Sequence, residues 1–147
     1  MKRYLSALLV VVVLSSLVAC STTGGKNAIS SLSAEPAVSA LVQATGVTAN
    51  QAIGGLGSIL SLAKSKVSAE DFSKLTAGIP SADKYMGALG GLGVNGGDIK
   101  TALDLQGAYK KLGMNEDQAL KFSSSAANYV RSSGGEAAAS VLSGLGL

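Results

Sequence analysis

The chain has one cysteine, Cys20, and it follows Leu17-Val18-Ala19. Small and aliphatic residues ahead of a cysteine match the bacterial lipobox, and the chemistry there requires a thiol. Diacylglycerol is attached to sulfur as a thioether, the chain is cut before the cysteine, and the new amino group is acylated as well. Three acyl chains exceed the two membrane signals that stable anchoring needs. Cys20 is therefore the expected lipidation site, with the membrane as its partner through those chains. The alternative is a secretory signal, or an N-terminal anchor, whose boundary cysteine is incidental. Ser21 follows the cysteine. In a Gram-negative envelope an aspartate at that position favours retention at the inner membrane, so serine points to the outer membrane, periplasmic side.

Other groupings with chemical potential have structural explanations that fit better. Gly91-Leu92-Gly93-Val94-Asn95-Gly96 matches G-x-G-x-x-G, but a dinucleotide site needs that loop between a strand and a helix. No strand pattern precedes it, and Asp98 places negative charge where a phosphate would sit. Glu70-Asp71 and Glu116-Asp117 are paired carboxylates, the residue type that divides acid and base roles when pKa values are pushed apart. Both pairs fall in the first turn after a helix cap, where negative charge complements the helix dipole. Lys64 with Lys66, and Lys110 with Lys111, lie near expected helix C-termini for the converse reason, and anionic lipid headgroups are their alternative contact. Without histidine and with one cysteine, imidazole-dependent catalysis, histidine-ligated metals, internal disulfides and chain-held iron–sulfur clusters are excluded. No catalytic residue, metal ligand or cofactor is expected.

Charge narrows the partners. Twelve Lys and Arg against nine Asp and Glu give +3, but Lys2 and Arg3 belong to the basic start of a removable leader. The remainder is near neutral, with no clustered positive charge for phosphate neutralisation, so nucleic acid is not an expected partner.

These residues are positioned by a leader, a tether and a set of helices. Leu5 to Ala19 is an apolar run of 15 residues interrupted by three serines, short of the roughly 20 that span a bilayer. Residues 1–19 therefore read as a signal peptide that is removed. Residues 20–33 are small and polar and read as the lipidated cysteine with a flexible tether of about 20 Å end to end.

Residues 34–147 carry helical rather than alternating spacing, which predicts an all-α domain, a small bundle of about five to seven short helices. Pro36 suits a first turn, and Val38, Leu41 and Val42 form one face before Gly46. Thr48 with Gln51 is a capping-box pattern ahead of Ile53, Leu56, Leu60 and Ala63. Ser68 caps a helix carrying Phe72, Leu75 and Ile79, which Pro80 ends. Ser81 caps a short turn through Tyr85 and Leu89, and Gly87 to Gly97 is a glycine-rich break. Asp98 opens a helix closed by Gly113, and Asn115 caps one with Leu120, Ala127 and Val130 inward. The last runs from about Glu136 through Leu145.

Gly46-Val47-Thr48-Ala49-Asn50-Gln51-Ala52-Ile53 and Gly113-Met114-Asn115-Glu116-Asp117-Gln118-Ala119-Leu120 share one pattern at an offset of 67 residues, from glycine stop to Gln-Ala-aliphatic. Lys64-Ser65 meets Arg131-Ser132, and Leu75 meets Leu142, at the same offset. A degenerate tandem duplication and convergence of stop-and-cap signals both account for this. Gly54, Gly55 and Gly57 fall inside the second helix at about 1 kcal/mol each relative to alanine, a cost that close approach of a neighbouring helix offsets.

Gly46-Val47 with Gln51-Ala52, Gly54-Gly55-Leu56-Gly57, Leu62 to Lys66, Asp71-Phe72, Ile79-Pro80, Lys111-Leu112-Gly113, and Tyr129 to Ser132 with Gly134-Gly135 together resemble domain-of-unknown-function family 2780, the VcgC/VcgE-like proteins. The resemblance runs from about Ala37 to Leu147. It implies an envelope-associated helical domain and supplies no catalytic residues.

The expected function is a lipid-anchored periplasmic envelope lipoprotein acting as a non-catalytic interaction or structural module, with self-association or an envelope protein as the partner. The alternatives are a carrier of an apolar ligand or lipid and, behind it, a hydrolase working with carboxylates, serines and lysines alone. Leu89, Leu92 and Val94, interleaved with six glycines, mark the candidate contact segment. They either fold back on the core or are presented to a partner or the bilayer, and the free energy of burying aliphatic side chains favours the first.

Overall fold

The computed structural model describes residues 29–144. Its elements are α1 (Pro36–Thr45), α2 (Ala49–Lys66), α3 (Ala69–Ala77), α4 (Ala82–Ala88), 3-10 turns at Gly90–Leu92 and Gly96–Asp98, α5 (Ala102–Lys111) and α6 (Glu116–Gly144). No strand occurs among the described residues, and the protein is an all-α bundle.

Local chemistry sets most helix ends. Pro36 stands in the first turn of α1, and Gly46 closes that helix in the left-handed region at φ 71°, its N–H returned to Val42 O. At the start of α2 the Gln51 amide donates to Thr48 Oγ1 at 3.3 Å while Gln51 Oε1 accepts from the Thr48 amide at 2.8 Å. Asn115 and Gln118 make the same reciprocal pair at α6. Each pair satisfies two amide donors that a helix start leaves open.

α2 is the axle of the bundle, with Ala52 to Leu60 buried without interruption. Its glycines admit its neighbours. A Cβ on Gly54 would come within 2.8 Å of a Leu112 methyl, and one on Gly55 within 2.6 Å of the Phe122 ring. On Gly57 it would lie 2.9 Å from the Tyr85 carbonyl carbon and against its oxygen. These contacts bring α2 against the end of α5, against α6 and against the α4 backbone, and all three neighbours are internal.

The repeat in the sequence has a counterpart in the helix boundaries. Moved by 67 residues, α1, α2 and α3 fall within one residue of α5, of α6 up to its break, and of α6 beyond it. The break is Gly135, at φ 63° and ψ −152°, and it stands where Ser68 and its neighbours separate α2 from α3. Packing is reciprocal: α1 lies against α6 and α5 against α2. Val47 and Met114, and Leu75 and Leu142, are buried at matching positions.

Four expectations are corrected. Residues 29–32 are helical and Leu32 is buried, so the folded body begins inside the stretch read as tether to Ser33. Ile29 and Leu32 have apolar partners on the body that composition alone does not reveal. Ser81 takes φ 64° and makes no cap; its hydroxyl donates to Glu35 Oε1 at 3.1 Å instead. Asp98 ends a 3-10 turn, and the following helix starts after Thr101, which forms a capping box with Asp104. Leu120 faces outward at 62% exposure, because no element among the described residues covers that face of α6.

Candidate functional site

Leu17, Val18, Ala19, Cys20 and Ser21 lie outside the described residues. The glycine-rich segment is on the body. Leu89 and Val94 are buried at 1% and 3% exposure, and Leu92 is half-buried against the same core. The fold-back follows from the turns: the Val94 amide donates to Leu89 O at 3.0 Å, and Gly93 at φ 77° lets the chain reverse. A Cβ on Gly96 would meet Ser61 Oγ at 2.8 Å and a Leu89 methyl at 3.0 Å, so this glycine seats the loop on α2. The G-x-G-x-x-G loop follows α4 rather than a strand, and its Asn95 Oδ1 takes the amide of Gly97, the residue after the loop, at 3.2 Å. It lacks the strand–loop–helix frame that presents free amides to a pyrophosphate.

The carboxylate pairs act locally. Glu70 and Asp71 lie 3.0 and 3.9 Å from Lys74 Nζ, and Asp71 Oδ2 also accepts from Ser68 Oγ. Glu116 and Asp117 stand in the first turn of α6, and Lys110 and Lys111 in the last turn of α5. Lys64 Nζ sits 6.0 Å from the centre of the Phe72 ring. Asp104 Oδ2 accepts from the Thr101 hydroxyl at 2.8 Å and from the Thr101 and Lys100 amides at 2.9 and 3.1 Å. These bonds, the Thr101 hydroxyl foremost, hold the Asp104 carboxyl below the usual carboxylate range. Among the described residues no three His, Cys, Asp or Glu side chains gather to hold a metal, and no helix is long and apolar enough to cross a membrane.

Two tyrosines are held neutral inside the bundle. Burial pushes the Tyr85 hydroxyl far above its ordinary value, with Glu35 and Tyr129 adding to the shift, and that hydroxyl has no hydrogen-bond partner among the described residues. Burial also raises Tyr109, whose hydroxyl accepts from Ser123 Oγ at 3.2 Å and whose ring meets Phe122 edge-on at 5.8 Å between centroids.

Tyr109 forms the floor of a groove of about 340 Å³ between α5 and α6, walled by Gln106, Lys110, Met114, Leu120 and Ser123, with Glu116 at its mouth. The described residues include two large apolar side chains that are exposed, Leu103 at 77% and Leu120 at 62%, and both belong to this pair of helices. Sequence reading places Leu120 inward and misses the groove. No sequence signal marks it: the repeat aligns Leu120 with Ile53, which is buried, and exposure depends on what covers each copy. Leu120 in this groove is thus exposed, whereas Leu89 and Val94 are buried.

The family described as Protein of unknown function VcgC/VcgE matches residues 18–146. The chain belongs to that family, and the match extends N-terminally beyond the motifs quoted above. No curated protein and no solved structure matches it.

Proposed function

For this member of the VcgC/VcgE family we propose a lipid-anchored envelope protein of the outer membrane, periplasmic side, whose helical body is a non-catalytic interaction module. One observation carries the reading: the only cysteine of the chain stands directly after Leu17-Val18-Ala19, at the end of a basic-then-apolar leader. The body supports it. Its helical structure is present from Ile29, and eight residues, nine Cα-to-Cα steps, separate Cys20 from Ile29. Even fully extended they reach only about 30 Å, so acyl chains on Cys20 would keep the body near the bilayer. The Glu70, Asp71 and Asp104 carboxylates serve caps and local ion pairs, and of the two exposed large apolar side chains among the described residues, Leu120 lines the α5/α6 groove.

The test is metabolic labelling with a fatty-acid analogue, followed by membrane fractionation. The unaltered protein is expected to carry label and to fractionate with the outer membrane, and Cys20→Ala is expected to lose both properties. Label retained on Cys20→Ala would overturn the anchor, and recovery of the unaltered protein in the inner membrane would overturn the destination assigned from Ser21.

A further inference from the structure

The two halves of the bundle treat one helix face differently. On α2 that face carries Ile53 and Gly57, and α4 lies across it, with the Tyr85 carbonyl and Leu89 against Gly57. Ile53 is consequently 0% exposed. On α6 the positions 67 residues on are Leu120 and Ser124, and both are exposed. No element among the described residues lies over them, and the uncovered face opens into the groove floored by Tyr109.

The rims of the groove carry opposite charge. Lys110 stands on α5 and Glu116 on α6, both lining the groove and both exposed. Neither is ion-paired among the described residues, where Lys74 holds the ion pairs. An exposed Leu120 on the wall of this groove, with Lys110 on one helix and Glu116 on the other, is a patch that can be matched by a copy of itself. A two-fold axis would seat each Leu120 in the other copy's groove and set each Lys110 opposite the other copy's Glu116. Closed two-fold pairing requires one patch to fit itself in this way, and opposite-charge rims fix the orientation while excluding the reversed one.

We propose that the α5/α6 groove is the pairing surface for a second copy of this chain, with Leu120 as the central knob and Lys110 and Glu116 as the reciprocal rim contacts. The pairing deepens the interaction-module reading and rests on it, but it does not require the lipid.

The experiment is sedimentation equilibrium of the full chain in density-matched detergent, for the unaltered protein and for Leu120→Asp, Lys110→Glu, Glu116→Lys and the double variant Lys110→Glu/Glu116→Lys. Circular dichroism melts confirm that each variant folds, as expected for exposed positions. The unaltered chain should sediment at twice its monomer mass. Leu120→Asp and each single reversal should weaken pairing about tenfold or more, and the double reversal should recover most of the loss. That recovery is expected only if the two rims face each other, which a merely weakened surface would not produce. A monomer throughout, single reversals without effect, or a double reversal no better than the singles would overturn the proposal. So would a lipid or a different protein found in the groove by native mass spectrometry. Fatty-acid labelling of Cys20 is read separately, so failure of pairing and failure of the anchor are distinguishable.

Discussion

Gly57→Ala places the packing argument under direct test. In a solvated helix this change stabilises by about 1 kcal/mol, because alanine loses less backbone freedom than glycine. Here the added Cβ would lie 2.9 Å from the Tyr85 carbonyl carbon, against its oxygen, and 3.1 Å from a Leu89 methyl. Ordinary contact is about 3.5–4 Å, and the obstacle is backbone, so a rotamer change of Tyr85 cannot relieve it. α4 would have to move outward by roughly 0.5–1 Å, an overpacking cost in the upper part of the usual range of about 1–3 kcal/mol. The net loss should be about 1–2 kcal/mol, or about 4–8 °C in Tm at roughly 4 °C per kcal/mol for a domain of this size. Gly107→Ala is the control. Gly107 lies inside α5 with nothing within 4 Å of its added Cβ, so the same chemical change should raise Tm by up to about 4 °C. Both melts are followed by circular dichroism at 222 nm. If Gly57→Ala raised Tm, or if the two variants shifted alike, close approach of α4 would not be what selects glycine on α2.

Two further outcomes follow from the loop and the caps. Leu89→Ser and Val94→Ser each remove a buried aliphatic group and bury a hydroxyl, so each should cost about 3 kcal/mol in chemical denaturation, against about 1 kcal/mol for half-buried Leu92→Ser; equal, small effects at all three would refute the fold-back of this segment. Asp104 has a folded-state pKa below its unfolded one, so its contribution is complete above the unfolded value near 4 and is lost as pH falls through the lower folded value. The Tm deficit of Asp104→Asn should therefore shrink between about pH 6 and pH 2, and a deficit independent of pH would show that the carboxylate charge is not what caps α5.

What the sequence by itself determines here is local. Gly46, Thr48 with Gln51, Ser68, Gly113 and Asn115 act within about one helical turn, through φ > 0 or a side-chain bond to the third amide on, so their signals lie within a few residues of their effects. The fold class follows from periodicity for the same reason. Offset 67 is legible too, because repeated stops and caps are repeated letters. Where local signals fall short, a distant partner decides. Ser81 has the right residue type for a cap, but Glu35, 46 residues away, takes its hydroxyl. Leu32 is buried because the body offers it a surface. Ile53 and Leu120 illustrate the same limit, since both are aliphatic residues directly after Gln-Ala in capped helices, and their sequences give no reason to treat them differently. α4 crosses the face of α2 that carries Ile53, and no described element crosses the matching face of α6. Burial depends on the atoms on the far side of a side chain, and those are supplied by elements distant in sequence, so only the tertiary structure could separate the two.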